Sequence, residues 1–319
     1  MGEHTEREAM SDDALAIQTR DLSRSFGSHA VVDDLDLSVP QGELFSLLGP
    51  NGAGKTTTIK MLCCLLRPSS GTATVMGHDT QADSLAVKQI IGISPQETAI
   101  AENLSARENL TLIGRVHGGR KEDVKNRSDE LLEMMGLSDR AGERVKKFSG
   151  GMKRRLSIAM ALVSDPEVLF LDEPTLGLDP QARRKVWEYI AELKGKKTIL
   201  LTTHYLEEVD SLADRIAIID EGRIVAMGTP RELKDSVSDI QVMVVKARNL
   251  TPGVIEGLRQ RYPEVTEVEG GVEIRAKEFD VYALQDYLRP TGVIVESTHI
   301  TETTLDDVFL QLTGRELRE

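Results

Sequence analysis

Residues 49–56 read Gly49-Pro50-Asn51-Gly52-Ala53-Gly54-Lys55-Thr56, and the stretch before them, Glu43-Leu44-Phe45-Ser46-Leu47-Leu48, is short and mostly apolar. The octet fits the spacing G-x-x-x-x-G-K-[ST]. Its glycines let backbone N–H groups turn inward around phosphate oxygens, and the helix that follows, opening with Thr57, presents its positive N-terminal end to the same charge. Lys55 is placed to reach the β- and γ-phosphates, and the Thr56 hydroxyl to ligate Mg²⁺. Strand 43–48, the glycine-rich turn and a helix over 57–66 open a βαβ unit, so this stretch predicts an α/β fold.

A second fixed point lies downstream. Val168-Leu169-Phe170-Leu171-Asp172-Glu173 is an apolar strand ending in two carboxylates. At the carboxyl end of a parallel strand both face the ligand crevice. Asp172 suits Mg²⁺, held through water, and Glu173 suits a general base that polarises an attacking water. Alone this is a common strand with an acidic turn; paired with the glycine-rich loop it becomes specific. Between the two, Phe148-Ser149-Gly150-Gly151-Met152 opens a helix, with Ser149 as N-cap and glycines freeing two backbone N–H groups.

The remaining pattern gives the organisation. Residues 1–13 are acidic and aperiodic and read as a disordered tail. Strands at 14–22 and 30–39 flank the polar Gly27-Ser28-His29 turn and predict an N-terminal antiparallel β-subdomain. Residues 97–165 read as an inserted helical subdomain, after which strands near 168–172, 198–202 and 216–220 alternate with helices at 181–193 and 206–213. The short apolar strands suit a mostly parallel sheet covered on both faces. The core spans 14–235. Beyond the break near Asp235, the order βαββαβ over 240–299 predicts a small α+β, ferredoxin-like domain at 236–319, closed by a helix at 304–313.

Composition excludes several classes. Hydrophobic content of 40% with 29% charge is that of a globular chain, not a disordered one. No run of hydrophobic residues exceeds six, far short of the roughly 17–25 a spanning helix needs. The acidic N-terminus has no apolar stretch behind a basic start, which argues against a secretory signal and predicts a cytosolic protein. Net charge is −13, and residues 236–319 carry nine basic against fifteen acidic side chains, so no broad positive face offers a hold on nucleic acid. Lys146-Lys147, Lys153-Arg154-Arg155 and Arg183-Arg184-Lys185 therefore read as solvated or subunit-facing patches. Cys63 and Cys64 are adjacent and read as reduced thiols on a core helix. The histidines lack metal-ligand spacing, which argues against a zinc site.

The phosphate-binding loop, Gln96, Ser149-Gly150-Gly151, Asp172-Glu173, Asp179 and His204, in this order and spacing, resemble the nucleotide-binding subunit of an ABC transporter over residues 15–235. Phe148-Ser149-Gly150-Gly151-Met152 followed by Lys153-Arg154-Arg155 is similar to the exporter branch of daunorubicin-resistance ATPases, as are 202–208 and the terminal Thr304-Leu305-Asp306-Asp307-Val308-Phe309. The usual signature has Leu and Gln where this chain has Phe148 and Met152.

The resemblance implies a chain that binds and hydrolyses ATP with Mg²⁺. Gly49, Pro50, Asn51, Gly52, Ala53, Gly54, Lys55, Thr56 and Thr57 would hold the nucleotide, and Phe26 would stack on adenine in place of the usual Tyr. Gln96 would contact Mg²⁺ and water beside Thr56 and Asp172. Glu173, Lys55, His204 and Gln96 would form the catalytic set, with His204 touching the γ-phosphate. Two copies would close head to tail, so that Ser149, Gly150, Gly151 and Asp179 of one complete the site of the other. The resemblance further implies a separate transmembrane permease, contact with the membrane only through it at its cytoplasmic face, and export of a drug, lipid or similar hydrophobic compound. Two rival readings remain open at this point: a non-transport ABC ATPase of translation or DNA maintenance, and an ATP-binding switch without turnover. The domain at 236–319 reads as a regulatory module, a dimer brace or a permease dock.

Overall fold

A computed structural model of the chain describes residues 15–237, 241–277, 279–301 and 303–315. The tail expected at 1–13 lies outside the described residues. The contacts divide the chain into two compact units, the first ending at Pro230 and the second beginning at Arg231.

In the first unit, β1 (Leu15–Phe26) and β2 (His29–Pro40) form a hairpin around Gly27 and Ser28. β3 (Leu44–Leu48) is buried at all five positions and leads through the glycine-rich turn into α1 (Lys55–Leu62). Then come β4 (Ser70–Val75), β5 (His78–Asp79), α2 (Ser84–Ile90) and β6 (Ile91–Ser94). The helical insertion follows: α3 (Ala106–Val116), α4 (Lys121–Met134) and α5 (Gly150–Leu162). A capping box starts α3, the Ser105 hydroxyl accepting from the Glu108 N–H while the Glu108 carboxylate accepts from the Ser105 N–H. The α/β alternation resumes with β7 (Val168–Asp172), α6 (Pro180–Leu193), β8 (Thr198–Thr203), α7 (Leu206–Leu212), β9 (Arg215–Asp220) and β10 (Arg223–Gly228).

These strands build two sheets. One is antiparallel, in the order β2-β1-β4-β5, as the N-terminal reading expects. The other runs β10-β9-β3-β8-β7-β6, with β10 antiparallel at one edge and the rest parallel. Val168 to Asp172 and Thr198 to Thr203 are buried throughout, which is why these strands read as unbroken apolar runs. Between the sheets, α1 contributes Ile59, Met61 and Leu62 to a core shared with Ile17, Val39, Val75, Phe45 and Phe170. Parallel strands align their carboxyl ends, so the turns after β3, β7 and β8 open on one rim.

Helix α1 is shorter than the expected 57–66. It stops because Cys64 takes a left-handed backbone (φ 57°) and the Leu65 and Leu66 N–H groups both turn back to the Lys60 carbonyl. The two cysteines thus lie past the helix rather than on it. Cys63 is buried and Cys64 half-buried, both free, and burial pushes the Cys63 thiol well up. Strand β10 was not anticipated from the pattern.

The second unit holds α8 (Pro230–Val237) from Arg231 onward, then β11 (Gln241–Arg248), α9 (Pro252–Arg259), β12 (Glu264–Val268), β13 (Gly271–Ala276), α10 (Val281–Leu288), β14 (Ile294–Thr301) and α11 (Leu305–Thr313). Its sheet is antiparallel, ordered β12-β13-β11-β14, which is the ferredoxin-like arrangement. Met243, Val245 and Ala247 alternate inward against Val254, Ile255, Leu258, Leu284 and Leu288 of the two helices, while Lys246 and Arg248 point to solvent. Among the described residues no helix is long and apolar enough to cross a membrane.

Candidate active site

Two glycines fix the loop between β3 and α1. A side chain at Gly49 would meet the Ile219 carbonyl oxygen at 2.2 Å, and Gly54 caps the helix at φ 103° with the Val31 carbonyl oxygen 2.6 Å from where a Cβ would stand. The first turn of α1 brings in Lys55 and Thr56. The Lys55 ammonium donates to the Gly49 carbonyl at 2.6 Å and the Pro50 carbonyl at 3.2 Å, and lies 3.1 Å from Glu173 Oε1. The Thr56 hydroxyl donates to Asp172 Oδ1 at 3.1 Å.

The carboxylates sit where β7 ends. Asp172 Oδ1 also accepts from the Thr202 hydroxyl of neighbouring β8 at 2.6 Å. Glu173 takes a left-handed backbone (φ 49°), a strained conformation for a residue with a Cβ. Its N–H is held by the Thr202 carbonyl and hydroxyl, at 3.0 and 3.1 Å. Glu173 Oε2 lies 2.8 Å from His204 Nδ1. Burial pushes the Glu173 carboxyl up, but the hydrogen bond from His204 and the charges of Lys55 and His204 prevail, leaving it below the usual carboxylate range. The residues brought together are therefore Lys55, Thr56, Asp172, Glu173 and His204, and the sequence had singled out all five.

The other candidates lie elsewhere. Ser149 caps α5, its hydroxyl accepting from the Met152 N–H at 3.3 Å. Asp179 caps α6, accepting from the Ala182 N–H at 2.9 Å. Ser149, Gly150, Gly151, Gly177 and Asp179 line a separate open cleft of about 340 Å³. Gln96 is exposed on the loop after β6, with its backbone carbonyl 3.3 Å from Arg154 Nη1. Phe26 is half exposed at the end of β1, and the Arg24 guanidinium covers one ring face at 4.6 Å.

Several residues escaped the sequence reading. Thr202, the last residue of the strand expected near 198–202, ties Asp172 to the Glu173 backbone. The reading of Lys153-Arg154-Arg155 as a solvated patch is overturned for Arg154, which is 4% exposed. The spacing carried the signal: 154, 157, 158 and 161 form one buried stripe of α5. Arg183 likewise is half-buried, its guanidinium 4.0 Å above the Tyr205 ring, which in turn lies 4.2 Å from the His204 ring. Glu208 on α7 is fully buried and accepts from the Thr175 hydroxyl and the Trp187 indole N–H, both at 3.0 Å. Burial pushes its carboxyl up to about 7, despite the hydrogen bonds that oppose this.

The donors around the loop fit a magnesium nucleotide. They are hydroxyl, carboxylate and backbone groups, the oxygen chemistry Mg²⁺ prefers. Among the described residues no cluster of three or more His, Cys, Asp or Glu side chains stands ready to hold a metal alone.

Known proteins give the same answer. The family described as "ABC transporter" matches residues 32–176. Daunorubicin resistance ATP-binding protein DrrA3 of Streptomyces coeruleorubidus is 41% identical, over 97% of this chain and 98% of the relative. Nod factor export ATP-binding protein I of Cupriavidus metallidurans is 39% identical, over 95% and 99%. A dimeric ATP-binding cassette solved in a post-hydrolysis state with ADP and Pi superposes with a TM-score of 0.62 at 24% identity, covering 67% of this chain and 98% of that one, a likeness of fold. With a phosphate loop, two strand-end carboxylates and a histidine gathered on one rim, and with relatives matching nearly end to end, the chain belongs to the ATP-binding proteins of ABC transporters, as the ATP-hydrolysing subunit that powers a separate permease.

Proposed function

We propose that two copies of this chain close head to tail on two ATP molecules and thereby drive export of a drug, lipid or similar hydrophobic compound. The observation that carries the reading is the Lys55–Glu173–His204 cluster at the phosphate loop, with Ser149, Gly150 and Gly151 lining a different, open cleft. A group that contributes backbone donors to phosphate from an open cleft needs a second copy to supply the phosphate. The names of the two relatives, one a resistance protein and one an export protein, support transport over translation or DNA maintenance.

The proposed roles follow from the contacts. Backbone N–H groups of 49–57 and the Lys55 ammonium hold the β- and γ-phosphates, and Phe26 offers a ring face to adenine. Thr56, Asp172 and Gln96 would hold Mg²⁺, which when bound supplies charge neutralisation on the phosphates. Lys55 now rests on Glu173. A phosphate that draws the ammonium away removes a cation that helps keep this carboxylate weakly basic, so Glu173 gains basicity as ATP arrives. Glu173 then takes a proton from the attacking water, while His204 holds its second oxygen and meets the γ-phosphate. Intact Glu173 and His204 favour turnover over a binding-only switch.

Coupling to the permease is assigned to the helical subdomain, through residues 99–120. In support, α3 exposes Leu112 and Val116, and a groove of about 1200 Å³ lined by Leu85, Ile93, Ile113, Val116 and Met160 lies beside it. Membrane contact is through the permease alone, at the cytoplasmic face, and no nucleic acid is involved. Residues 236–319 are assigned an accessory, interaction-type role, supported by their own closed core. Affinity capture of the chain from detergent-solubilised membranes tests the reading: a stoichiometric polytopic protein is expected, and recovery only with ribosomes or DNA-repair proteins would overturn it.

A further inference from the structure

Arg154 is 4% exposed, and among the described residues every hydrogen bond of its guanidinium goes to a backbone carbonyl rather than to a carboxylate. Nε donates to Pro174 O at 2.7 Å, Nη2 donates to Asp172 O, and Nη1 donates to Pro95 O at 2.6 Å and Gln96 O at 3.3 Å. One rigid fork therefore grips the carbonyls of the residues on both sides of Glu173, the residue in the left-handed conformation, together with the loop that carries Gln96. The guanidinium itself grows from the second turn of α5, five residues past the Ser149 cap.

A strained backbone persists only where its surroundings over-determine it, and here the constraint comes from two sides. Thr202 holds the Glu173 N–H from β8, and Arg154 holds the carbonyls of residues 172 and 174 from α5. Burial pushes the guanidinium down to about 10 against the opposing pull of Asp172, Glu208 and Glu173, so it stays charged at neutral pH and keeps all its donors. Lysine cannot copy this, because an ammonium on a flexible stem does not present a planar fork in three directions.

We infer that Arg154 is a positioning residue for hydrolysis: it sets the place of the Glu173 carboxylate and ties that place to the signature helix α5. This rests on the role proposed for Glu173. Since Ser149, Gly150 and Gly151 at the head of α5 are the groups offered to a second copy's nucleotide, any shift of α5 on docking is passed by the same side chain to the carboxylate of its own site. Arg154 then links the two sites of a dimer through one guanidinium.

Arg154→Lys tests this in the full-length chain. Turnover at saturating ATP should fall by about 10- to 100-fold, the effect of a reacting group displaced by about an ångström. The ATP dissociation constant, the ATP bound per subunit and the melting midpoint should stay near the parent's, the affinity within about threefold. In a Glu173→Gln background the same substitution should change residual single-turnover hydrolysis by less than about threefold, because the group it positions is already gone. Parent-like turnover in Arg154→Lys would overturn the inference. So would a matching loss of ATP affinity or of binding-competent subunits, which marks a role in folding alone, and so would an undiminished Arg154→Lys effect in the Glu173→Gln background. Glu173→Gln by itself tests the underlying reading: parent-like turnover there would remove the base, and the inference with it.

Discussion

Around the phosphate loop the polar side chains are buried and satisfy one another, Lys55, Glu173 and His204 being 5%, 4% and 8% exposed. In the signature cleft Ser149, Gly150 and Asp179 stand in solvent, and their hydrogen bonds do no more than cap two helices. The first region satisfies its buried polar side chains within the chain; the second leaves polar groups facing solvent. Such a contrast separates a site that can hold a ligand alone from one that contributes only when another surface arrives. It also locates the cost of activation. In the proposed closure the phosphate loop gives up internal contacts such as Lys55–Glu173 to accept ATP, whereas the signature cleft has no such side-chain pair to break.

The largest effect that would sharpen this contrast comes from the buried side. Glu173→Gln should lower steady-state phosphate release by about 10²–10⁴-fold, the usual worth of a general base, while ATP binding is kept and an ATP-held dimer accumulates on gel filtration. Next, Lys55→Ala should weaken ATP binding by about 10- to 100-fold, the value of one charge-assisted hydrogen bond, as read by equilibrium titration; unaltered affinity would show that Lys55 does not reach phosphate. The open side is tested by mixing chains. Lys55→Ala and Gly151→Asp should each be inactive alone, yet a mixture should recover up to roughly a quarter of parental activity, since half of randomly paired dimers are mixed and each has one intact composite site. A Cβ at Gly151 meets nothing nearer than the Ala182 methyl at 3.4 Å, so that substitution should not disturb the fold. No recovery would mean that the two regions serve one chain rather than two.

The smallest effect concerns Glu208, buried beside this cluster. Its carboxyl is raised from about 4.5 to about 7 in the folded chain, so between these values the folded state binds the proton more tightly than the unfolded one. Its contribution to stability is present in full below pH 4.5 and is lost as pH rises through about 7. Glu208→Gln should remove that slope, so that the melting midpoint of the variant gains on the parent's by several degrees, of order 5 °C, between pH 5 and pH 8. Parallel midpoints at both pH values would show that Glu208 stays charged in the fold.

Much of this is legible in the sequence alone. The phosphate loop, the two carboxylates and the signature turn are local patterns, and each announces its backbone geometry through glycine, a cap or an apolar run. What stayed hidden depended on tertiary contact. Arg154 sits in a basic triplet, and composition gave it to solvent; only the helical stripe it shares with Ser157, Ile158 and Ala161 gave it away. The end of α1 was misplaced because Cys64 adopts a left-handed turn usually reserved for glycine or asparagine. Thr202 acts through a neighbouring strand, and strand neighbours are not written in sequence order. The ferredoxin-like order of the second unit was readable from element alternation, but its chemistry was not, because fold alone does not assign function.

Trp187 is the chain's single tryptophan, and its indole N–H is bonded to Glu208. That makes the molecule its own optical gauge. The emission maximum and lifetime of one ring report the charge on a carboxylate packed between α6 and α7, with no label to attach and no background from a second indole. Followed during ATP addition, the same signal would report whether the contact between Trp187 and Glu208 changes when nucleotide binds.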